Sequence, residues 1–230
     1  MRQMPSGRQT TAVLFDLDDT LIDRAGGFAR MCGHWYRTLP VAGRPPDEEQ
    51  FVERMAAWDR DGLPKHEIYG NLLRWWPGCF ASIDAAIDCH RTQLAPCTAF
   101  DPRTRALLLR LRREGFATAV LTNGTAASQR SKVQHWGLPD LVDAIVVSEE
   151  IGAAKPDPAI FRHALGAISA DPTSTLFVGD RPVADVCGAR RLGMLTAWIH
   201  HGRDWEITEP PPDYAISGAW EVGGLLGLSP

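Results

Sequence analysis

The sequence lacks the features expected of membrane proteins and of secreted, disulfide-bonded proteins. It contains no apolar run of about 18 residues, so we expect no transmembrane helix and no membrane partner. Residues 1–11 are polar and lack the apolar segment of a signal peptide. The five cysteines form no C-x-x-C pair and are irregularly spaced, which argues against a disulfide framework and a structural zinc site. We therefore expect free thiols and a cytoplasmic location.

The sequence also has no excess of basic residues. The formal net charge of −4 excludes a generally basic surface, so we expect no nucleic-acid partner. Only Lys65, Lys132 and Lys155 are lysines, and every other basic side chain except histidine is arginine. A lysine is therefore conspicuous in this chain, although codon bias explains the skew equally well. The 230 residues suffice for one large domain, or for a core domain with a smaller insert.

The most informative stretch is Ala-Val-Leu-Phe-Asp-Leu-Asp-Asp-Thr-Leu at positions 12–21. Its apolar start, Ala12 to Phe15, is typical of a buried strand in a parallel sheet, although periodicity alone does not exclude a helix. Asp16, Asp18 and Asp19 follow within four positions. Carboxylates so close together suit a divalent cation such as Mg²⁺, or a nucleophile beside an acid–base group. An acidic turn without chemistry is the alternative.

Residues 23–96 carry helical periodicity and no convincing strand. Breaks rich in proline and glycine separate four predicted helices, at 24–38, 47–58, 65–75 and 83–94. Half of the tryptophans fall here: Trp35, Trp58, Trp75 and Trp76. We expect them to fill the core of a small helical domain, and stacking on a nucleobase or flavin is the alternative.

From Pro102 onward, helix and strand patterns alternate. Strands are predicted at 116–121, 144–147, 175–178 and 195–199, with a further edge strand at 214–217, and helices at 126–136, 158–168 and 182–192. Alternation of this kind indicates βαβ units and a doubly wound parallel α/β sheet. We predict an α/β core made of residues 1–22 and 97–230. Residues 23–96 are predicted to form an inserted helical cap over the carboxyl end of the first strand.

Polar groups follow four of the predicted strands. They are Asp16 and Asp18, then Thr122-Asn123-Gly124, then Lys155, and finally Asp180 with Asp185; His200 to Arg203, after the fifth strand, are candidates for the rim. Parallel strands share a direction, so these loops lie on one side of the sheet. Each group alone is common in ordinary turns or on surfaces, but their joint occurrence at the strand ends favours a site.

Each of these groups suits phosphate chemistry. The hydroxyl of Thr122 and the peptide N–H groups around Asn123 precede a helix, which is a natural anion site. Lys155 offers a positive charge to phosphate oxygens. Asp180 is placed to complete a magnesium site with Asp16, and Asp185 to orient Lys155 or a metal-bound water.

Four motifs now carry a family resemblance. They are Phe15 to Leu21, Leu121 to Gly124, Lys155 to Phe161, and Val178-Gly179-Asp180 with Ala184-Asp185. In this order the sequence resembles the haloacid dehalogenase superfamily, whose members are mostly phosphatases and have a Rossmann-like core. The helical block matches the position of the family's first type of cap. Members often have Asn where this chain has Ala184.

The resemblance implies a role for each motif residue. Asp16 is the nucleophile that forms an aspartyl-phosphate, and Asp18 protonates the leaving group and then activates water. Thr122 and Lys155 hold the phosphoryl group. Magnesium is bound by Asp16, the backbone carbonyl of Asp18, and Asp180.

The leading hypothesis is a Mg²⁺-dependent hydrolase acting on a small phosphomonoester. The alternatives are a phosphomutase with the same core chemistry, and a protein that binds a phosphorylated metabolite without catalysis. A dehalogenase is disfavoured because dehalogenase members lack the second aspartate of the first motif, which is Asp18 here. Nucleotides, sugar phosphates, phosphoglycolate and flavin mononucleotide all remain open as substrates. The protein is expected to be a monomer or a homodimer.

Overall fold

A computed structural model describes residues 9–60 and 62–228 of the chain. Its strands are β1 (Ala12–Phe15), β2 (Ile22–Asp23), β3 (Ala99–Phe100), β4 (Ala117–Thr122), β5 (Ala144–Val147), β6 (Thr175–Gly179), β7 (Leu195–Ile199) and β8 (Tyr214–Ile216). Six of them form one sheet in the order β5-β4-β1-β6-β7-β8, and β2 pairs with β3. Each pairing of neighbouring strands in the six-stranded sheet is parallel. The prediction of a doubly wound α/β sheet is confirmed.

Strand β1 is an interior strand of this sheet, and both of its faces are covered. Its four residues are all buried. Val13 and Phe15 belong to one hydrophobic cluster and Leu14 belongs to another, as the alternation of side chains along a strand requires. The chain places β4 on one side of β1 and β6 on the other, so the strand order reverses at β1. Ligands of open α/β sheets bind at such a point, beyond the carboxyl ends of the strands.

Helices cover both faces of the sheet. They are α5 (Pro102–Arg113), α6 (Ala126–His135), α7 (Ser148–Ile151), α8 (Pro158–Ala167), α9 (Gly188–Arg190) and α10 (Val222–Leu225). Asp101, Thr125 and Asp157 cap α5, α6 and α8, because each side chain accepts a hydrogen bond from a first-turn N–H group. The short helix α7 was not predicted from the sequence.

The predicted helix at 182–192 is replaced by a π-helical turn, Pro182–Cys187, that leads into α9. The carbonyl of Arg181 accepts a hydrogen bond from the N–H of Val186 at 3.4 Å, which is the spacing of a π-turn. The Asp185 carboxylate accepts a hydrogen bond from the N–H of Arg181 at 2.9 Å and so holds the start of the turn. The turn therefore presents Asp185 next to the end of β6.

The remaining helices build a second compact unit. They are α1 (Arg24–Thr38), α2 (Glu48–Arg60), α3 (Lys65–Trp75) and α4 (Ile83–Cys97). Trp35 and Trp76 are fully buried in its core, and Trp58 and Trp75 pack against that core. The tryptophans thus fill the helical unit, as expected. Asp47 caps the start of α2, because its side chain accepts a hydrogen bond from the N–H of Gln50 at 2.8 Å.

The chain divides into two units, Met1–Ile22 with Phe100–Pro230 and Asp23–Ala99. The second division falls three residues later than predicted because α4 runs on to Cys97. All five cysteines are free thiols. Within residues 9–60 and 62–228, no helix combines the length and the apolar character needed to cross a membrane.

Candidate active site

Three aspartates converge at the carboxyl ends of the central strands. Asp16 follows β1, Asp180 follows β6, and Asp185 lies in the π-helical turn. All three are buried, and one carboxylate oxygen from each lies within 4.8 Å of those from the other two. We call Asp16, Asp180 and Asp185 the carboxylate cluster. All three residues are among the site residues predicted from their positions after apolar strand patterns.

Lys155 is the buried cation that faces this cluster. Its Nζ atom lies 2.5 Å from Asp16 Oδ1 and 2.7 Å from Asp185 Oδ1. Only 2% of its side chain is exposed. Burial would lower the pKa of Lys155, but the carboxylates of Asp16 and Asp185 outweigh burial and raise it. Lys155 therefore carries its charge inside the protein.

The cluster nevertheless holds more negative charge than its protein surroundings balance. Burial raises the pKa of Asp16 to about 7, against the opposing effect of Lys155. Burial, together with the charges of Asp16 and Asp185, raises the pKa of Asp180 to about 8. Three oxygen-donor groups with excess negative charge match the preference of Mg²⁺ for carboxylate ligands. The residues present therefore fit a divalent cation.

The loop after β7 contacts the cluster from another side. Arg203 donates a hydrogen bond to the backbone carbonyl of Asp180 at 2.8 Å, and the same guanidinium lies 3.2 Å from Asp180 Oδ2. His201 Nε2 donates to the carbonyl of Asp19 at 2.7 Å. Asp19 has a φ of 59° and His201 a φ of 46°, values that are strained for residues other than glycine. This contact thus braces the loop that carries Asp16 and Asp18.

Asp18 belongs to a separate network made with helix α6. Both of its carboxylate oxygens lie 2.5 Å from Lys132 Nζ, and Gln129 Nε2 donates to Asp18 Oδ2 at 3.1 Å. Gln129 also donates to the hydroxyl of Thr122 and, at 3.0 Å, to the carbonyl of Asn123. The structure therefore connects the predicted acid–base residue to the predicted phosphate-binding residues.

Sequence reasoning missed Gln129 and Lys132. Both are buried, and their spacing of three residues puts them on one face of α6. Two signals pointed to Lys132: it is one of three lysines in the chain, and it lies in the helix that follows Thr122-Asn123-Gly124. Neither signal identifies Asp18 as its partner, because the two residues are 114 positions apart.

Asn123 uses its side chain within the protein. Its Nδ2 donates to the carbonyl of Lys155 at 2.9 Å, and the N–H of Lys155 donates back to Asn123 Oδ1 at 2.8 Å. The N–H of Gly124 donates to Ser148 Oγ at 2.9 Å. Direct contact of Asn123 with phosphate stays a prediction that concerns its backbone, while its side chain joins the loops that carry Thr122 and Lys155.

Comparison with known proteins gives an independent set of observations. Residues 13–199 match the family described as haloacid dehalogenase-like hydrolase. A glyceraldehyde 3-phosphate phosphatase of Pyrococcus furiosus is 30% identical over 95% of this chain and 92% of its own. A phosphoserine phosphatase of Thermus thermophilus is 40% identical over 53% of this chain and 49% of its own. The similarity to the first relative therefore extends over both units.

Solved structures share the fold. The crystal structure of the hydrolase YfnB from Bacillus subtilis, bound to magnesium, superimposes with a TM-score of 0.75 and 21% identity. The match covers 95% of this chain and 99% of the other. At this identity the likeness concerns the fold alone.

Proposed function

The chain belongs to the haloacid dehalogenase-like hydrolases and is a phosphatase, and we propose that it uses Mg²⁺ to cleave small phosphomonoesters through an aspartyl-phosphate on Asp16. The observation that carries the proposal is the position of Asp16. Its carboxylate is buried between Lys155 and the other two members of the carboxylate cluster, while Asp18 lies in a separate network. This difference in surroundings supports different proposed roles: Asp16 as the nucleophile beside the cation, and Asp18 as the acid–base residue.

In the first step, a carboxylate oxygen of Asp16 attacks the phosphorus atom and the bond to the leaving oxygen breaks. Asp18 gives its proton to that oxygen, which leaves as an alcohol. In the second step, Asp18 takes a proton from a water molecule, whose oxygen attacks the phosphorus and releases phosphate and Asp16. Asp18 ends the cycle protonated, as it began.

Burial favours the protonated form of Asp16, which cannot act as a nucleophile. Positive charge is therefore needed to hold it ionised. Lys155 supplies part of that charge at 2.5 Å, and it is also proposed to hold the phosphoryl oxygens together with the hydroxyl of Thr122. The proposed magnesium ligands are Asp16, Asp180 and the backbone carbonyl of Asp18, with Asp185 orienting Lys155. When bound, Mg²⁺ supplies positive charge that offsets the negative charge of the transferring phosphoryl group.

The proposed substrate is a small phosphorylated metabolite with an alkyl leaving group. The relatives compared above act on glyceraldehyde 3-phosphate and on phosphoserine, according to their names. An alkoxide is a poor leaving group, so its release needs a proton donor such as Asp18.

The test is phosphate release from a panel of alkyl phosphomonoesters, measured with Mg²⁺ and with a chelator. We expect release from some members with Mg²⁺ only. Asp16→Asn should lower kcat by at least about 10³-fold, because it removes the nucleophile but preserves the size of the side chain. Asp171→Asn, which alters an exposed aspartate that caps a short helical turn, is the matched control and should retain activity. Full activity of a folded Asp16→Asn protein would refute the mechanism.

A further inference from the structure

Lys132 occupies a position that stability alone does not explain. Its side chain is only 3% exposed, and lysine is rarely so buried unless it is paired. Its partner, Asp18, keeps 26% of its side chain exposed in the loop after β1. Replacing a buried ion pair with apolar side chains of similar volume is often neutral or stabilising. Apolar side chains at both positions would therefore serve stability at least as well as Lys132 paired with Asp18.

The contact between Lys132 and Asp18 is geometrically restrictive. A single ammonium group lies 2.5 Å from both carboxylate oxygens, and it thereby fixes the plane of the carboxylate. Gln129 adds a second donor to Oδ2 at 3.1 Å. An aspartate without such partners would populate several rotamers in a loop.

The side chain that makes this contact is anchored in a capped helix. Lys132 lies in the second half of α6, whose first turn is capped by the side chain of Thr125. Gln129, one helical turn before Lys132, donates to Thr122 and to the carbonyl of Asn123. The orientation of Asp18 is thus tied to the end of β4, where Thr122 lies.

We propose that Lys132 is a positioning residue for the reaction: it holds the Asp18 carboxylate in the orientation needed for proton transfer, and Gln129 keeps that orientation in register with Thr122. The inference rests on the proposed function. Proton transfer needs donor and acceptor within about 2.6–3.2 Å, and a misplacement of about 1 Å can cost roughly 10²-fold in rate. Asp18 gives and takes the proton in both steps, and Lys132 neither donates nor accepts one.

The test compares leaving groups, because only a poor leaving group needs the proton from Asp18. We would measure kcat/KM with Mg²⁺ for the best alkyl phosphate of the panel and for p-nitrophenyl phosphate. Lys132→Met keeps the length of the side chain and removes the charge. We expect it to lose about 10²-fold on the alkyl phosphate and less than about 5-fold on p-nitrophenyl phosphate. The loss on the alkyl phosphate should appear in kcat rather than in KM, and Lys132→Arg should recover part of it.

Two controls separate positioning from a general loss of structure. Arg130→Met removes a positive charge from the same helix, where Arg130 pairs with Glu150 near the surface, and it should leave both values of kcat/KM unchanged. In an Asp18→Asn background, Lys132→Met should have no further effect on the alkyl phosphate, because the group it positions is absent. Equal losses on both substrates, or no loss on the alkyl phosphate, would overturn the inference.

Failure of the proposed function gives a different result. If the wild-type chain releases no phosphate from any member of the panel, the proposed function is wrong. The proposed role of Lys132 in proton transfer is then wrong too. The contact itself is then judged from the unfolding midpoints of the Lys132→Met, Asp18→Asn and double variants. Non-additive shifts would support a direct pairing of Lys132 with Asp18. Additive shifts would refute this pairing in addition to the proposed function.

Discussion

Each unit of the molecule buries a cluster of charged side chains, and the two clusters have opposite balance. In the α/β unit, the carboxylate cluster sets three carboxylates against two cations, Lys155 and Arg203. In the helical unit, Asp59 alone accepts hydrogen bonds from two cations, Arg24 and Lys65, the latter at 2.6 Å. We call Arg24, Asp59 and Lys65 the cation cluster.

The directions in which the pKa values of these aspartates shift are set by the charges around them, and not by burial alone. Burial acts in the same direction on all the aspartates, because it disfavours their charged form. In the carboxylate cluster burial prevails, and the pKa of Asp180 rises to about 8. In the cation cluster burial also raises the pKa of Asp59, but Arg24 and Lys65 outweigh it and hold that pKa well below its usual range. The negative charge of Asp59 is offset by cations of the protein itself, whereas the carboxylate cluster gains from an added cation.

The largest expected effect is the loss of the magnesium response, which should require the carboxylate cluster but not the cation cluster. Asp180→Asn should lower kcat by about 10²-fold or more, because it removes a proposed metal ligand. It should also abolish the rise in unfolding temperature that Mg²⁺ gives the wild-type protein. Without metal, the same variant should be as stable as the wild type or more so, since one of three mutually repelling carboxylates is gone.

The matched control is Asp59→Asn, made in the cation cluster, which should leave the Mg²⁺-dependent rise in unfolding temperature intact. A rise of wild-type size in Asp180→Asn would remove Asp180 from the proposed metal site.

The next effect concerns the stability of the helical unit. Asp59→Asn removes the carboxylate charge that faces both Arg24 and Lys65, whose side chains are 16% and 35% exposed. We therefore expect the free energy of unfolding to fall by about 2 kcal/mol, less than for a fully buried pair. Chemical denaturation followed by tryptophan fluorescence measures this.

Asp88→Asn is the control for Asp59→Asn in the same unit. It breaks an exposed pair with Arg91 and should cost about 0.5 kcal/mol at most. Equal costs for the two variants would show that the cation cluster is no stronger than a surface ion pair.

The last effect is a pH dependence of the metal-free protein. The folded-state pKa values of Asp16 and Asp180 are raised from 3.8 to about 7 and about 8. Their stabilising contribution is therefore fully present below about pH 4 and is lost as the pH rises through those values. We expect stability in a chelator to fall as the pH rises from about 4 to about 8, and the fall to end once both carboxyl groups are ionised in the folded state.

Magnesium should flatten this slope, because it stabilises the ionised carboxylates. The measurement is denaturant unfolding at several pH values, with and without Mg²⁺. Stability that rises with pH across this window in the chelator would contradict the charge balance assigned to the carboxylate cluster.

Most of the fold and part of the candidate site could be predicted from local sequence patterns. The apolar runs that became β1, β4, β5, β6 and β7 were each recognisable, and the side chains that follow them gave Asp16, Asp180 and Lys155. Parallel strands bring such residues together without any knowledge of side-chain geometry.

The partners of Asp18 could be identified only from the structure. Helix α6 buries Gln129 and Lys132 beside Val133, so its inward face looks polar in the sequence. Hydrophobic periodicity predicts that such polar residues lie on the solvent-exposed face of a helix. The π-helical turn was missed for a related reason, because it depends on hydrogen bonds of Arg181 that leave no periodic signature.

The pairing of the lysines has a consequence for covalent chemistry. Each of the three contacts an aspartate, and the side chains of Lys132 and Lys155 are only 3% and 2% exposed. An amine-acylating reagent therefore meets Lys65, which is 35% exposed, but reaches the other two only when the α/β unit opens locally. The acylation rates of Lys132 and Lys155 would then report how often that unit opens, from two positions that flank the reacting aspartates.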